Sequence, residues 1–274
     1  MRKFILLILT LFLFISCEKE TQNQFEFKTT TQSSQKDISI LSFNIQIFGR
    51  TKASKPKVME SIIDIIDDFD IIAIQEVRDI SGESLKILMS MMPKNYILIQ
   101  GPREGRTFSK EQLIFIYNDT KINHKKIYNY PDLDDVFERS PFFVVFETDD
   151  KQLDFQIINV HLDPDEVKTE ILHLNNIIVD FTFDEDIIIL GDLNADGNYF
   201  DESELIEIFH PSKYEIIIKN DINTTVAASD NTYDRIIITK SLEKFVHNSG
   251  VLYYEHNNFK DISDHYPIYI KLRY

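Results

Sequence analysis

From Asp37 to the C-terminus, apolar runs of strand length alternate with stretches of helical period. The runs predict strands over Ile38 to Phe43, Ile71 to Ile74, Leu113 to Tyr117, Phe142 to Phe146, Phe155 to Val160, Ile187 to Leu190, Tyr214 to Ile218, Ile236 to Thr239 and Pro267 to Leu272. Helical spacing predicts helices over Pro56 to Asp68, Glu83 to Met92 and Glu166 to Phe181. Pro56 near a start and Ile62, Ile65, Ile66 and Phe69 at helical spacing support the first. The expected class is α/β.

Polar residues mark the boundaries of these runs in a recurring order. Asn44 and Glu76 close strands, and Glu111 and Arg139 precede strands. His161 and Asp192 then close strands, and Asp234 and Asp264-His265 precede strands. If all these positions line one mouth, strands that begin there run antiparallel to strands that end there, so the sheets are mixed. The recurrence implies two similar half-structures packed face to face. It is an inference from topology, because no residue-level repeat joins the halves.

With 274 residues, 43% apolar and 12% aromatic, the chain can bury one substantial core, and one domain is the default. Charge narrows the function. The 29 basic against 45 acidic residues give −16, whereas binding nucleic acid by bulk electrostatics calls for a basic protein. A polyanionic substrate must therefore be met by a local patch or by metal.

The N-terminus reads separately. "MRKFILLILTLFLFIS" places Arg2 and Lys3 before an apolar stretch from Phe4 to Ile15 and a small residue before Cys17, which predicts a secretory signal peptide over residues 1–16. The apolar stretch is shorter than the roughly 20 residues of a spanning helix; an uncleaved anchor is the alternative. Removing Arg2 and Lys3 takes the formal charge from −16 to −18. Cys17 is the only cysteine, so stability must come from the core or from bound ions rather than from a disulfide. Residues 18–36 are polar and rich in Thr, Gln and Ser, and read as a flexible tether ahead of a domain over 37–274.

Within that domain, "DIIILGDLNADG" from Asp186 is an apolar run that delivers Asp192 and Asn194 on one turn. Hard divalent cations take such oxygen ligands, although Asp, Asn and Gly also serve ordinary turns. Glu76 after "DIIAIQ" is a second strand-end carboxylate, costly if buried alone and unremarked if solvated. Asn44 closes "ISILSFN", where it could meet a phosphate oxygen or a metal-bound carboxylate, or simply make a turn. His161 closes "FQIINVHL", and by itself such a histidine is commonly satisfied by backbone. Two histidines with several carboxylates suit phosphodiester hydrolysis, which must deprotonate a water, assist a leaving alkoxide and neutralise phosphoryl charge. A carboxylate behind each imidazole would orient it and favour its protonated form, with Asp234 and Glu111 as candidates.

Taken together, "FNIQIFG", "IQEVRD", "SKEQLIF", "FERSPFFVVF", "VHLDP", "GDLNADG", "TYDRIII" and "SDHYP" resemble, in order, the deoxyribonuclease I branch of the endonuclease/exonuclease/phosphatase superfamily over about Asp37 to Tyr274. The resemblance implies two packed mixed β-sheets flanked by helices, a four-layer sandwich. It implies Glu76 as the principal ligand of Mg2+ or Mn2+, with Asn44, Asp192 and Asp264 at a neighbouring phosphate or second-ion position and Asn194 beside them. It pairs His161 with Glu111 and His265 with Asp234 as catalytic dyads, without deciding which imidazole is acid and which base. Arg78 and Arg139 fall where the family's arginines contact DNA, and Arg103, Arg106 and Lys110 extend a basic strip. "FISC" resembles a bacterial lipobox, implying acylation of Cys17, a membrane partner through that lipid, and a cell-envelope or secreted location.

Departures from the family pattern are equally specific. Ser109 stands where relatives place a minor-groove tyrosine, which bears on cleavage preference. The family's disulfide positions read Gly197 and Asn231, so that bridge is absent. One calcium loop reads Asn223, Thr225, Ala227 and Ser229, which weakens it as a calcium site. The other retains Asp132, Asp134 and Asp135 as a Ca2+ loop, or as a solvated acidic loop, with Ser140 replacing a family glutamate. The expected protein is a monomeric, exported, metal-dependent DNA endonuclease. A phosphodiesterase or phosphatase on lipid or inositol phosphates, and an inactive nucleic-acid-binding surface lipoprotein, are the alternatives.

Overall fold

Strands with apolar side chains at consecutive positions need cover on both faces, and two sheets packed on each other with helices outside provide it. The computed structural model describes residues 35–181, 186–228, 230–254 and 259–274, all within one unit, Gln35–Tyr274. The expected signal peptide, Cys17 and most of the tether lie outside the described residues. Among the described residues no helix is long and apolar enough to cross a membrane.

The strands are β1 (Asp37–Phe48), β2 (Ile71–Val77), β3 (Tyr96–Glu104), β4 (Glu111–Asn118), β5 (Ile122–Asn129), β6 (Phe142–Thr148), β7 (Asp154–His161), β8 (Asp186–Asp192), β9 (Tyr214–Ile216), β10 (Asp234–Thr239), β11 (Val246–Val251) and β12 (Ile268–Arg273). The α-helices are α1 (Arg50–Ala53), α2 (Pro56–Ile66), α3 (Glu83–Met91), α4 (Val167–Phe181) and α5 (Glu202–Ile208). One six-stranded sheet has the order β11-β12-β1-β2-β4-β3, and the other β5-β6-β7-β8-β10-β9. Each contains a parallel pair, β1 with β2 and β7 with β8, inside antiparallel neighbours. The series β12-β1-β2-β4-β3 and β6-β7-β8-β10-β9 therefore repeat one another in order and direction. The expected four-layer arrangement of two mixed sheets is the observed one.

Alternate residues of the central strands fill the space between the sheets, among them Ile40, Ala73, Phe115, Val144, Ile157, Leu190, Ile236 and Ile270. Their neighbours in sequence face outward. Leu41, Phe43, Ile72 and Ile74 meet Met59, Ile62, Ile66 and Leu88 of α2 and α3, while Ile158, Val160, Ile189 and Ile237 meet Ile171, Leu174 and Ile178 of α4.

Three of the four edge strands, β3, β5 and β11, were not predicted. In β5, "INHKKIYN", most side chains are exposed, and β11, "VHNSGV", has no fully buried residue. An edge strand with little to bury carries little apolar signal. The fourth edge, β9, is shorter than the expected Tyr214 to Ile218, and α1 and α5 are too short to display a period.

Towards one end of the sandwich the apolar interior gives way to a buried amide layer. Gln75 Nε2 donates to Ser42 Oγ at 3.1 Å and, across the sheets, to Asn159 Oδ1 at 2.6 Å. Asn159 Nδ2 donates back to the carbonyls of Ile74 and Ile114 at 3.3 and 3.1 Å. Replacing Asn159 by Leu strands polar groups that have no access to water. The expected loss is about 2 kcal/mol or more of unfolding free energy in urea titrations; a variant within about 0.5 kcal/mol of the wild type would show that the layer does not brace the sheets.

Candidate active site

The amide layer is the floor of the candidate site. Residues two apart on a strand share a face, so Ser42 and Asn44 on β1, and Asn159 and His161 on β7, point the same way. Glu76 directly follows Gln75 and in a regular strand would turn outward. Its φ of 62° re-aims it so that both side chains point inward. On the second sheet, His161 at the end of β7, Asp192 at the end of β8 and Asp234 at the start of β10 are cross-strand neighbours. Gly191 permits this row: its φ is 140°, and a Cβ there would lie 1.9 Å from the Val160 carbonyl oxygen.

Both histidine dyads cross between the sheets. His161 Nδ1 lies 2.5 Å from Glu111 Oε1 of β4, and His265 Nδ1, just before β12, lies 2.7 Å from Asp234 Oδ2 of β10. The Nε2 atoms of the two rings converge on one oxygen, Asp192 Oδ2, at 3.6 and 3.5 Å. Asn44 Nδ2 donates to that same oxygen at 3.0 Å and to Glu76 Oε1 at 3.3 Å. Glu76 Oε2 accepts the Ile47 amide at 2.9 Å and lies 2.8 Å from Arg78 Nη2.

Arg78 and Arg139 flank Glu111. Arg139 Nε is 3.1 Å from Glu111 Oε1 and donates to the His161 carbonyl at 2.8 Å, while Arg78 Nε is 3.5 Å from Glu111 Oε2. Arg139 Nη2 is buried and has no hydrogen-bond partner among the described residues, so a donor remains for an anion. Arg78 Nη1 donates to Ser109 Oγ at 3.0 Å. Asp264 is exposed, with its carboxylate 3.9 Å from His265 Nε2, and Asn194 spends its amide on the Leu162 carbonyl at 2.9 Å.

Charge is distributed unevenly. Burial opposes the imidazolium of His265, but Asp234 and Asp192 outweigh it and raise the ring to about 10. Burial and Arg139 both oppose protonation of His161, and Glu111 with Asp192 still raises it. Against its own burial, Asp192 is held below the usual carboxylate range by His265, His161 and the Asn44 amide. Glu111 is likewise lowered despite burial, by His161 and the two arginines.

A divalent cation fits this donor set on the Glu76 side. Glu76 and Asp192, one from each sheet, are drawn together by a single amide and offer only oxygen, as Mg2+ or Mn2+ requires. Asp192, Asp234 and His265 also converge, with ligand atoms within 4.8 Å of one another. There, however, His265 is raised to about 10, and an imidazolium has no lone pair to offer, so the oxygen pair is the better seat.

Other expected residues lie away from this centre. Arg106 donates to the Asp135 carbonyl at 2.5 Å and pairs with Asp135 and Glu138, bracing the acidic loop, and Lys110 is exposed on the β3–β4 connection. Asp132 Oδ2 accepts the Phe137 amide at 2.7 Å, and its other oxygen is buried without a partner. Asp134 is exposed, and among the described residues Asp132, Asp134 and Asp135 do not form a cluster with metal-ligating spacing. Gly197 and Asn231 face one another, with a Cβ at Gly197 meeting Asn231 Oδ1 at 3.1 Å.

Several supporting residues were not anticipated. Thr224 Oγ1 accepts the Asp234 amide at 3.1 Å, and Ser263 Oγ donates to the Asn44 carbonyl at 2.6 Å while accepting the His265 amide at 3.1 Å. Glu170, raised to about 7 by burial, accepts the amides of Glu138 and Asp163 and so joins the loops next to Arg139 and His161. Gln75 and Asn159 did leave a trace, as lone amides inside apolar runs.

The raised His265 gives a pH test. Its ordinary value is 6.5 and its folded value about 10, so its contribution to stability is complete below about pH 6.5 and is lost as pH rises towards 10. In metal-free protein the unfolding free energy should fall across that window with a slope approaching about 1.4 kcal/mol per pH unit. His265→Gln should flatten it, and equal slopes in the two proteins would clear His265 of the effect.

The Endonuclease/Exonuclease/phosphatase family pattern matches residues 41–265. Chicken (Gallus gallus) deoxyribonuclease-1 is 32% identical over 263 residues, covering 86% of this chain and 92% of the relative. Human (Homo sapiens) deoxyribonuclease gamma is 30% identical, covering 85% of each. A solved endonuclease/exonuclease/phosphatase family protein from Bacteroides thetaiotaomicron superposes with a TM-score of 0.66 at 16% identity, covering 88% of this chain and 96% of that one.

Proposed function

This chain belongs to the Endonuclease/Exonuclease/phosphatase family, and from that premise we propose that it is a divalent-metal-dependent endonuclease that nicks double-stranded DNA, leaving 5′-phosphate and 3′-hydroxyl ends. The observation that carries the reading is the convergence of two carboxylate-backed imidazoles on Asp192, with Arg78 and Arg139 flanking the Glu111 that backs one of them. A phosphodiester bound beside Asp192 would have two imidazoles within reach, one to take a proton from the attacking water and one to give a proton to the leaving oxygen. Arg139 bears on only one of the two rings, which separates their proton affinities. Glu111 and Asp234 fix ring orientation through Nδ1 and leave Nε2 facing the cleft.

Glu76 and Asp192 would hold the cation, with Asn44 keeping them together; when bound, the ion neutralises charge on a phosphoryl oxygen. The guanidinium groups of Arg78 and Arg139 give a local positive edge to a chain of net charge −16. They support a nucleic-acid backbone over a lipid or inositol phosphate as substrate, as do the deoxyribonuclease names of the relatives at about a third identity. In this reading the enzyme acts outside the cytoplasm, held to the cell envelope through Cys17.

Supercoiled plasmid tests the proposal. With Mg2+ or Mn2+ the wild type should produce open circles, EDTA should stop it, and His161→Ala or His265→Ala should slow nicking about 100-fold or more. A silent wild type, or variants as fast as the wild type, would refute it. Turnover of sphingomyelin or a phosphoinositide without turnover of DNA would transfer the site to the other substrate class.

A further inference from the structure

Lys52, on α1, is half-buried, and its ammonium touches no substrate-facing group. It donates to the carbonyls of Ile45, at 2.7 Å, and of Gln46, and from the other side to the carbonyl of Ile262, at 2.5 Å. An ammonium has three N–H bonds, and all are directed at backbone oxygen. The acceptors belong to segments far apart in sequence, and each segment carries part of the site.

The first segment is a bulge in β1. Gln46 and Ile47 have φ of 42° and 50°, a conformation that neither residue favours, least of all β-branched Ile47. The distortion turns the Ile47 amide onto Glu76 Oε2 and the Gln46 amide onto Asn44 Oδ1, at 2.9 and 3.0 Å. Such a backbone persists only where its surroundings over-determine it. The second segment ends the 3-10 turn Phe259–Asp261 and leads into Ser263, the residue that bonds the Asn44 carbonyl and the His265 amide. Without a cation between them, the clustered carbonyls of Ile45, Gln46 and Ile262 would repel one another.

We propose that Lys52 is a positioning residue, a built-in cation that clamps the β1 bulge to the turn before His265 and so holds the metal-side carboxylate and one acid–base dyad in register. Burial lowers Lys52 to about 8 while Glu76 and Asp264 oppose the loss of its charge, so the ammonium form prevails at neutral pH. The inference rests on the proposed reaction only for its kinetic consequence; the geometric consequence stands without turnover.

The test uses Lys52→Ala in the whole protein, with Mn2+ binding followed by electron paramagnetic resonance and plasmid nicking followed in parallel. Loss of the clamp should weaken Mn2+ binding about tenfold and lower kcat about 10- to 100-fold, with KM for DNA unchanged because Lys52 does not meet the substrate. Ethylammonium should restore part of both by occupying the same three carbonyls, whereas a neutral alcohol of the same size should not. Wild-type Mn2+ affinity in the variant, or a loss that tracks only the unfolded fraction and ignores ethylammonium, would overturn the proposal. Mn2+ binding reads the clamp even if the wild type fails to cut DNA, a result that would remove the proposed substrate and leave the clamp standing.

Discussion

Two sheets joined only by apolar side chains have no strong preference among small sliding displacements, because hydrophobic contact is non-directional. Directional bonds between the sheets remove that freedom at one end of this molecule. Gln75 to Asn159 closes the interior, and above it Asn44 to Asp192, His161 to Glu111 and His265 to Asp234 each join one sheet to the other. The chemistry-bearing groups are thus also the fasteners. Correct dyad geometry and correct sheet register are one constraint.

That constraint explains the repeated order of strand ends and starts. Each half contributes a row from two parallel strands and an antiparallel neighbour, β1-β2-β4 in one and β7-β8-β10 in the other. Face-to-face packing sets Asn44, Glu76 and Glu111 opposite His161, Asp192 and Asp234. Chemical identity breaks the pseudo-symmetry: one half offers an amide where the other offers an imidazole. One side of the candidate site consequently gathers carboxylate and amide groups, and the other gathers imidazoles around Asp192.

The central strands were legible because both of their faces are buried, and the site residues because reactive types stood at strand boundaries. The edges β3, β5 and β11 were not, since strands that bury little leave no periodic signature. Lys52, Ser263, Thr224 and Glu170 escaped notice for another reason. Each acts on a backbone amide or carbonyl whose position is fixed only once the chain is folded, so no side-chain pattern announces it. The φ of Glu76 was equally hidden, because "IIAIQEV" reads as an ordinary strand.

The strained backbone and the charge balance meet at the same place. Left-handed φ values at Gln46, Ile47, Glu76 and Asn194 surround the carboxylates of Glu76 and Asp192, and each such residue costs on the order of 1–3 kcal/mol. A relaxed strand would save that cost but would point Glu76 away from Asn44 and withdraw the Ile47 amide from its carboxylate. Buried carboxylates survive only with partners, and here the partners are imidazoles and an amide for Asp192, and an amide and a guanidinium group for Glu76. A protein of net charge −16 thereby keeps several carboxylates together at one end of the sandwich, restrained by partners that between them come from both sheets.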